Sequence, residues 1–390
     1  MNFEAQIEKY TEILLSHKLM VLIPTLMLIL FATIGARYLE QPSGYRGFVE
    51  TGQPNYEEIL NLEEKYGMID TLSYVIKPNS GDIFQKDVLK LIHELTEISW
   101  KTPYSSRVSS LTNHQYTTVD GDDINIDDFI SDIENLTDEN LINLRELALA
   151  ENTIVNFILS KSARVAFVNI SLDMPDGMGF DDPINFAEEQ KKLFNKKYPE
   201  VFVTVAGSSR YSHNFQTTAR SDATTMYPGF LILIIILSYV LLRSVSASLI
   251  SLIIIFLSIL PSMGMAGWLG FEAQPPLIIA PILILTIALA HAVHILSIAL
   301  TNLNEGKNKL ESITESLKVN MTPVFLTSLT TAVGVAGVNF GKIPAFSEMA
   351  NTVVIGSAIS FALSVIVLPI LFIIMPVSYT HLTLPTTLVV

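Results

Sequence analysis

Two histidines, His291 and His294, lie three residues apart in a stretch, residues 273–304, that contains no Asp, Glu, Lys or Arg. A spacing of three residues brings two side chains to one face of a helix, and Ser297 and Thr301 extend that face with hydroxyl groups. Ionisable groups inside a membrane helix are costly and mark proton or ion pathways. Because imidazole titrates at about pH 6.5, the pattern predicts a proton relay built on the two histidines. The alternative is that both are neutral packing residues, hydrogen-bonded between helices.

A cluster of hydroxyl groups and a pair of glycines occupy a second charge-free stretch, residues 319–341. The hydroxyl groups belong to Thr327, Ser328, Thr330 and Thr331. They could face the histidines and support proton transfer through water, although such hydroxyls equally bond their own backbone or join neighbouring helices. Gly337 and Gly341 have the GxxxG spacing that allows close helix packing, so we expect them at a helix contact.

Membrane helices must position these residues, because the sequence contains six long apolar runs without Asp, Glu, Lys or Arg. About 20 mostly apolar residues are needed to cross the roughly 30 Å of a bilayer core. The runs are residues 19–36, 223–242, 244–271, 273–304, 319–341 and 349–376. The first run is longer than the apolar core of a signal peptide and follows a charged segment, which favours an uncleaved anchor.

Lysines and arginines in the short loops predict the orientation of the helices. If the amino terminus is cytoplasmic, most of them lie on the inner side and only Lys342 lies on the short outer loops. The inner set is Lys9, Lys18, Arg243, Lys307, Lys309 and Lys318. The predicted organisation begins with a cytoplasmic amino terminus, residues 1–18, and a first transmembrane helix, residues 19–36. A large outer domain, residues 37–222, and five further transmembrane helices, residues 223–376, follow.

The outer domain contains two similar series of strand, helix and strand. Alternating and helical apolar spacings predict strands at residues 71–78, 107–111, 163–172 and 201–206, and helices at residues 85–100 and 183–198. Two such units predict an α+β, ferredoxin-like sandwich with a split βαβ arrangement. The acidic run at residues 120–132 lacks the spacing of a calcium-binding EF-hand loop, so we expect a solvated loop that leads into a helix.

Composition argues against several classes of function. The chain has 38 Asp and Glu against 24 Lys and Arg, a net charge of −14, which argues against a nucleic-acid partner. It has no cysteine, which excludes disulfides and thiolate metal sites. The sequence shows no nucleophile elbow, phosphate-binding loop or metal-binding cluster, so we expect no enzyme activity, no metal and no cofactor.

Several strings resemble the resistance–nodulation–division (RND) superfamily, in particular its "mycobacterial membrane protein large" (MMPL) and predicted-exporter branches. They are GDIFQKDVLKLIHELT followed by SSLTN, AHAVHILS, TSLTTAVGVAGVNFGKIPAF and LPILF. The resemblance implies a six-helix membrane bundle with a periplasmic porter domain in a bacterial inner membrane. In such relatives an acidic residue at the position of His291 usually carries the proton that drives export, and His294 matches a histidine of the predicted-exporter branch.

The resemblance implies proton-motive-force-driven export of lipids or other hydrophobic or amphipathic compounds. The implied partners are membrane lipids, the transported molecule, protons and, as a further candidate, a second copy of the chain. The alternatives are a non-transporting, sterol-sensing-like lipid-binding module and a membrane protein that assists protein translocation. These families combine two halves of six spans, so we expect this chain to be an amino-terminal half. We expect its end, residues 377–390, to be a non-native tail, because VSYTHLTLPT resembles a translated sequencing adapter.

Overall fold

The structure is a computed structural model that describes residues 3–39, 70–120, 123–130, 132–175 and 178–376, together with the single positions 48, 58 and 61. The side chains of residues 3, 118–120, 123, 219, 220 and 223 are not among those described. The expected non-native tail, residues 377–390, lies outside the described residues. Contacts divide the chain into a helical unit, residues 1–53 with 218–390, and an α/β unit, residues 54–217.

The described residues form ten α-helices and six strands, numbered here in chain order. They are α1 (Phe3–Ser16), α2 (Lys18–Ile34), β1 (Asp70–Pro78), α3 (Lys86–Ser99), β2 (Ser105–Ser109), β3 (Gln115–Asp120), β4 (Asp123–Asp128), α4 (Asp138–Ala150), β5 (Ala166–Leu172), α5 (Asp181–Lys197), β6 (Val201–Ala206), α6 (Ser208–Leu242), α7 (Val245–Trp268), α8 (Pro275–Asn304), α9 (Lys309–Ala336) and α10 (Pro344–Ile374).

The helical unit contains the six apolar spans that the sequence predicts. Within the described residues six helices are long and apolar enough to cross a membrane, namely α2, the carboxyl-terminal part of α6, and α7 to α10. Proline at the first positions of α8 and α10 fits the start of a helix, where its missing N–H group is not needed. α9 begins at Lys309, ten residues before the predicted start, because Asn308 and Glu311 form a capping box there.

Small residues allow α2 and α7 to approach closely. A Cβ atom added to Gly264 would overlap the carbonyl oxygen of Ala32, and one added to Gly267 would overlap that of Gly35. Beside this contact Trp268 stacks on Phe31, with ring centroids 5.3 Å apart. The first and third spans are therefore in close contact at these glycines.

The predicted helix contact at Gly337 and Gly341 is wrong within the described residues. A Cβ atom added to either glycine would meet no described atom within 4 Å. Both residues are exposed and belong to a 3₁₀ turn, Gly337–Gly341, that follows the end of α9. A GxxxG pair serves close packing only when a continuous helix presents both glycines on one face, and here the α-helix ends before them.

The α/β unit is built on a four-stranded antiparallel sheet with the strand order β2-β5-β1-β6. The predicted strands and helices are all present, each within a few residues of its predicted bounds. Burial alternates along β1 and β5, so one face of the sheet is covered; that face packs with α3 and α5 in a common apolar core. α3 joins β1 to β2 and α5 joins β5 to β6, and in both cases the joined strands are separated by one intervening strand.

The expected solvated loop at the acidic run is wrong for residues 123–128. These residues form β4, which pairs with β3 in an antiparallel hairpin. Polar residues alternate with Ile124 and Ile126 in this segment, and that alternation suits a strand. Ile124 and Ile126 point to the same side and are 68% and 61% exposed.

Candidate functional site

His291 lies near the middle of α8 and is only 1% exposed. Ala288, about one turn earlier, and Ala292, the next residue, are fully buried, and their small side chains leave room for adjacent helices. α8 packs against α9 and α10. The imidazole is therefore enclosed by three helices of the bundle.

Both nitrogens of His291 have a hydroxyl partner. Nδ1 lies 3.1 Å from the Oγ atom of Ser360 in α10, and Nε2 lies 3.1 Å from the Oγ atom of Ser328 in α9. Both serines are buried. His291 thus links the fourth, fifth and sixth spans through two side-chain hydrogen bonds.

This pair of serines can satisfy the imidazole in either protonation state. A neutral imidazole has one N–H donor and one acceptor nitrogen, so one hydroxyl accepts from the ring while the other donates to it. A protonated imidazole has two N–H donors, and both hydroxyl oxygens then accept. The change requires only rotation of a hydroxyl hydrogen, so the ring can gain or lose a proton without leaving a nitrogen unpaired.

The hydroxyl network continues beyond the two serines. Ser357 donates from its Oγ atom to the backbone carbonyl of Ser328 at 3.1 Å, and it is fully buried. One turn beyond Ser360, the Oγ atom of Ser364 is buried and has no hydrogen-bond partner among the described residues. The interior around His291 is therefore lined by hydroxyl groups of α9 and α10.

The structure does not bring His294 to the same site. Its side chain is exposed, and its backbone carbonyl accepts a hydrogen bond from the Nδ2 atom of Asn320 at 3.1 Å. Ser297 donates to the His294 carbonyl and Thr301 donates to the Ser297 carbonyl, so both hydroxyls bond their own helix. Three residues correspond to about 300° of helical rotation, and the remaining angle of about 60° is enough to turn one ring inward and the other outward.

Most of the predicted hydroxyl cluster also faces away from His291. Thr327 and Thr330 are exposed and donate to the carbonyls of Pro323 and Leu326 in their own helix. Thr331 is half-buried, and no hydrogen bond from it to the histidine is present. Among the four hydroxyl residues of this cluster, Ser328 alone contacts the histidine.

Sequence reasoning missed Ser360 and Ser357, which α10 contributes from a distant part of the chain. A signal was present, because Thr352, Gly356, Ser360 and Ser364 follow one another at intervals of four. Such a spacing places small and polar residues along one side of a helix. Within the described residues no group of three or more His, Asp or Glu could hold a metal ion.

Comparison with known proteins adds one finding to this geometry. A sequence model of the MMPL family matches residues 124–378, which include His291, Ser328 and Ser360. The matched range is well over half of the 390 residues and contains five of the six apolar spans. A search of curated proteins found no match.

Proposed function

The chain belongs to the MMPL family, and on this premise we propose that it is a secondary transporter driven by the proton-motive force. Family membership and six apolar helices make it a multi-pass membrane protein, and they support an RND-type exporter of hydrophobic substrates. The proposal adds that lipids or other amphipathic molecules are moved outward as protons move inward. It involves no covalent reaction and no cofactor.

We further propose that the α/β unit is a ferredoxin-like porter domain on the periplasmic side of a bacterial inner membrane. Its strand order and its two split connections support the ferredoxin-like topology. The excess of Lys and Arg on the opposite loops supports the outer location. A second half of similar layout, or a second copy of this chain, is the proposed partner of the bundle.

The observation that carries proton coupling is the pairing of both His291 nitrogens with buried hydroxyls. A titratable group inside a bilayer needs a means of stabilising both of its charge states, and Ser328 and Ser360 supply it. Loading a proton places a positive charge among α8, α9 and α10. That charge shifts the balance between conformations that differ in the access of water to the site. His294, exposed and turned away, has no part in this proposed step.

The proposal is tested by replacing His291 and measuring transport of a fluorescently labelled lipid in everted vesicles under an imposed pH gradient. We expect His291→Ala to abolish gradient-dependent transport while the protein still inserts, which blotting verifies. We expect His291→Asp to retain part of it, because the resemblance implies a carboxylate at this position. His294→Ala is the matched control and should transport normally. Full gradient-driven transport by His291→Ala would refute the coupling role and leave His291 as a packing residue.

A further inference from the structure

A second polar cluster lies at the amino-terminal end of α10, where the connection between α7 and α8 contacts this helix. The backbone N–H of Glu272 donates to Oε2 of Glu348 at 3.1 Å. The Nε2 atom of Gln274 donates to Oε2 of Glu272 at 2.7 Å. We call these three residues the carboxylate cluster. In the proposed orientation this end of the bundle faces the periplasm.

The carboxylate cluster contains a buried acceptor without a donor. Gln274 is 1% exposed, and its Oε1 atom has no hydrogen-bond partner among the described residues. Its Nε2 atom donates to Glu272, so the carbonyl oxygen is the side-chain atom without a partner among the described residues. A buried polar atom left unpaired is costly, and a pair of ionised carboxylates offers it no donor. Adding a proton to one carboxyl group creates a donor within the cluster.

Of the two glutamates of the carboxylate cluster, Glu348 is the better site for that proton. It is half-buried and lies in the second turn of α10. Partial burial disfavours an ionised carboxylate and a neighbouring carboxylate adds to this effect, while the hydrogen bond from the backbone N–H of Glu272 opposes both. Among the described residues, the other charged side chains on this side of the bundle include Asp222 in α6, Lys342, two residues before α10, and Arg37, which lies over the ring of Tyr38. α7, the first half of α8 and the last 18 residues of α9 contribute no charged side chain to this end.

Helix α10 connects Glu348 to the histidine site. Thr352 is fully buried and bonds the backbone carbonyl of Glu348 at 2.8 Å. Ser360, which contacts His291, lies twelve residues beyond Glu348, or about 18 Å along the helix axis. Each step of four residues advances about 40° around the helix axis, so Thr352 lies close to the side of Glu348, and Ser360 is turned by about 120° from Glu348.

We propose that Glu348 binds a proton from the periplasmic side, within the carboxylate cluster, and is the first acceptor of the proton that His291 later carries. This inference rests on the proposed proton-coupled transport. It assigns a proton-binding site about 18 Å from the histidine, at the outer end of the bundle. That proton supplies the carboxylate cluster with a hydrogen-bond donor, which Oε1 of Gln274 lacks among the described residues.

The proton itself is measured by infrared difference spectroscopy of the full chain in lipid nanodiscs. On stepwise acidification from alkaline buffer, we expect the carbonyl stretch of a protonated carboxylic acid before the exposed carboxylates become protonated, with the shift that deuterium exchange produces. Glu348→Gln should abolish this band. Glu272→Gln should move its midpoint to lower pH, because a like charge is removed. Glu305→Gln, at the opposite end of α8, is the control and should leave the band unchanged.

The transport assay then separates this inference from the proposed function. We expect Glu348→Gln to reduce gradient-driven lipid transport at least tenfold while Glu305→Gln transports normally. Glu348→Asp, which keeps a carboxyl group, should retain the band and part of the transport. This variant tests the proton site if Glu348→Gln fails to fold. Absence of the band, or its persistence in Glu348→Gln, overturns the proton site even if transport is proton-driven. If the band of Glu348 is present but lipid transport does not depend on the pH gradient, proton coupling is refuted. Glu348 then binds a proton, but it is not the first acceptor of a transported one.

Discussion

Replacing Ser360 or Ser328 by alanine should reveal an energetic coupling to His291. Each serine contributes one hydrogen bond of 3.1 Å to a ring that is 1% exposed. Hydrogen bonds between membrane helices contribute about 0.6 kcal/mol on average and up to about 1.7 kcal/mol. Alanine also leaves an imidazole nitrogen unpaired, at a cost of about 1–3 kcal/mol. We therefore expect each substitution to destabilise the bundle by about 1–2 kcal/mol.

A double-mutant cycle isolates the contact itself. His291→Phe keeps a ring of similar shape but removes both nitrogens, and the serine hydroxyls can then bond a carbonyl one turn earlier in their own helices. In the His291→Phe background, Ser360→Ala should therefore cost little. The expected coupling energy between His291 and each serine is about 0.6–1.5 kcal/mol.

The assay is reversible unfolding of the purified chain in mixed micelles, followed by the helical circular dichroism signal. Ser258→Ala is the matched control, because Ser258 is also fully buried but bonds only the carbonyl of Ile254 in its own helix. Its coupling to His291 should stay within about 0.5 kcal/mol, as for independent sites. Coupling energies equally small for Ser328 and Ser360 would refute the proposed geometry of the histidine site.

Two further predictions concern the bundle and its orientation. Gly264→Val should separate α2 from α7, because its side chain would overlap the carbonyl oxygen of Ala32, and should lower the yield of monodisperse protein on size exclusion. Gly337→Val, which has open space around it, should leave the yield unchanged. Equal yields of the two variants would contradict the close contact of α2 with α7. A cysteine at exposed Ser80 should react with an impermeant maleimide in spheroplasts, whereas one at exposed Asn308 should react only after lysis. The reverse pattern would invert the predicted topology.

The sequence by itself was sufficient to predict the six spans and the four strands of the main sheet of this protein. Six runs without charge predict six spans, because burial of charge in a bilayer is costly wherever the helices lie relative to one another. Alternating and helical apolar spacings likewise predict the strands and helices of the α/β unit, because one face of each must be buried. His291 was identifiable as a candidate for the same reason, as an ionisable residue in an apolar run.

The hairpin of β3 and β4 shows where local reasoning fell short. The many acidic residues of this segment suggested a loop, yet the alternation of Ile124 and Ile126 with polar residues was a strand signal that composition concealed. Pairing with β3 supplies the backbone hydrogen bonds that a loop would have taken from water.

Only the tertiary structure decided which residues meet. His291 faces the bundle interior and His294 does not, although both lie in one helix. Ser360 reaches His291 from 69 residues away, and Glu348 accepts from Glu272 across 76 residues. Spacing determines how side chains are arranged around a helix. The rotation of that helix about its own axis depends on its packing against neighbouring helices, which no single run of sequence contains.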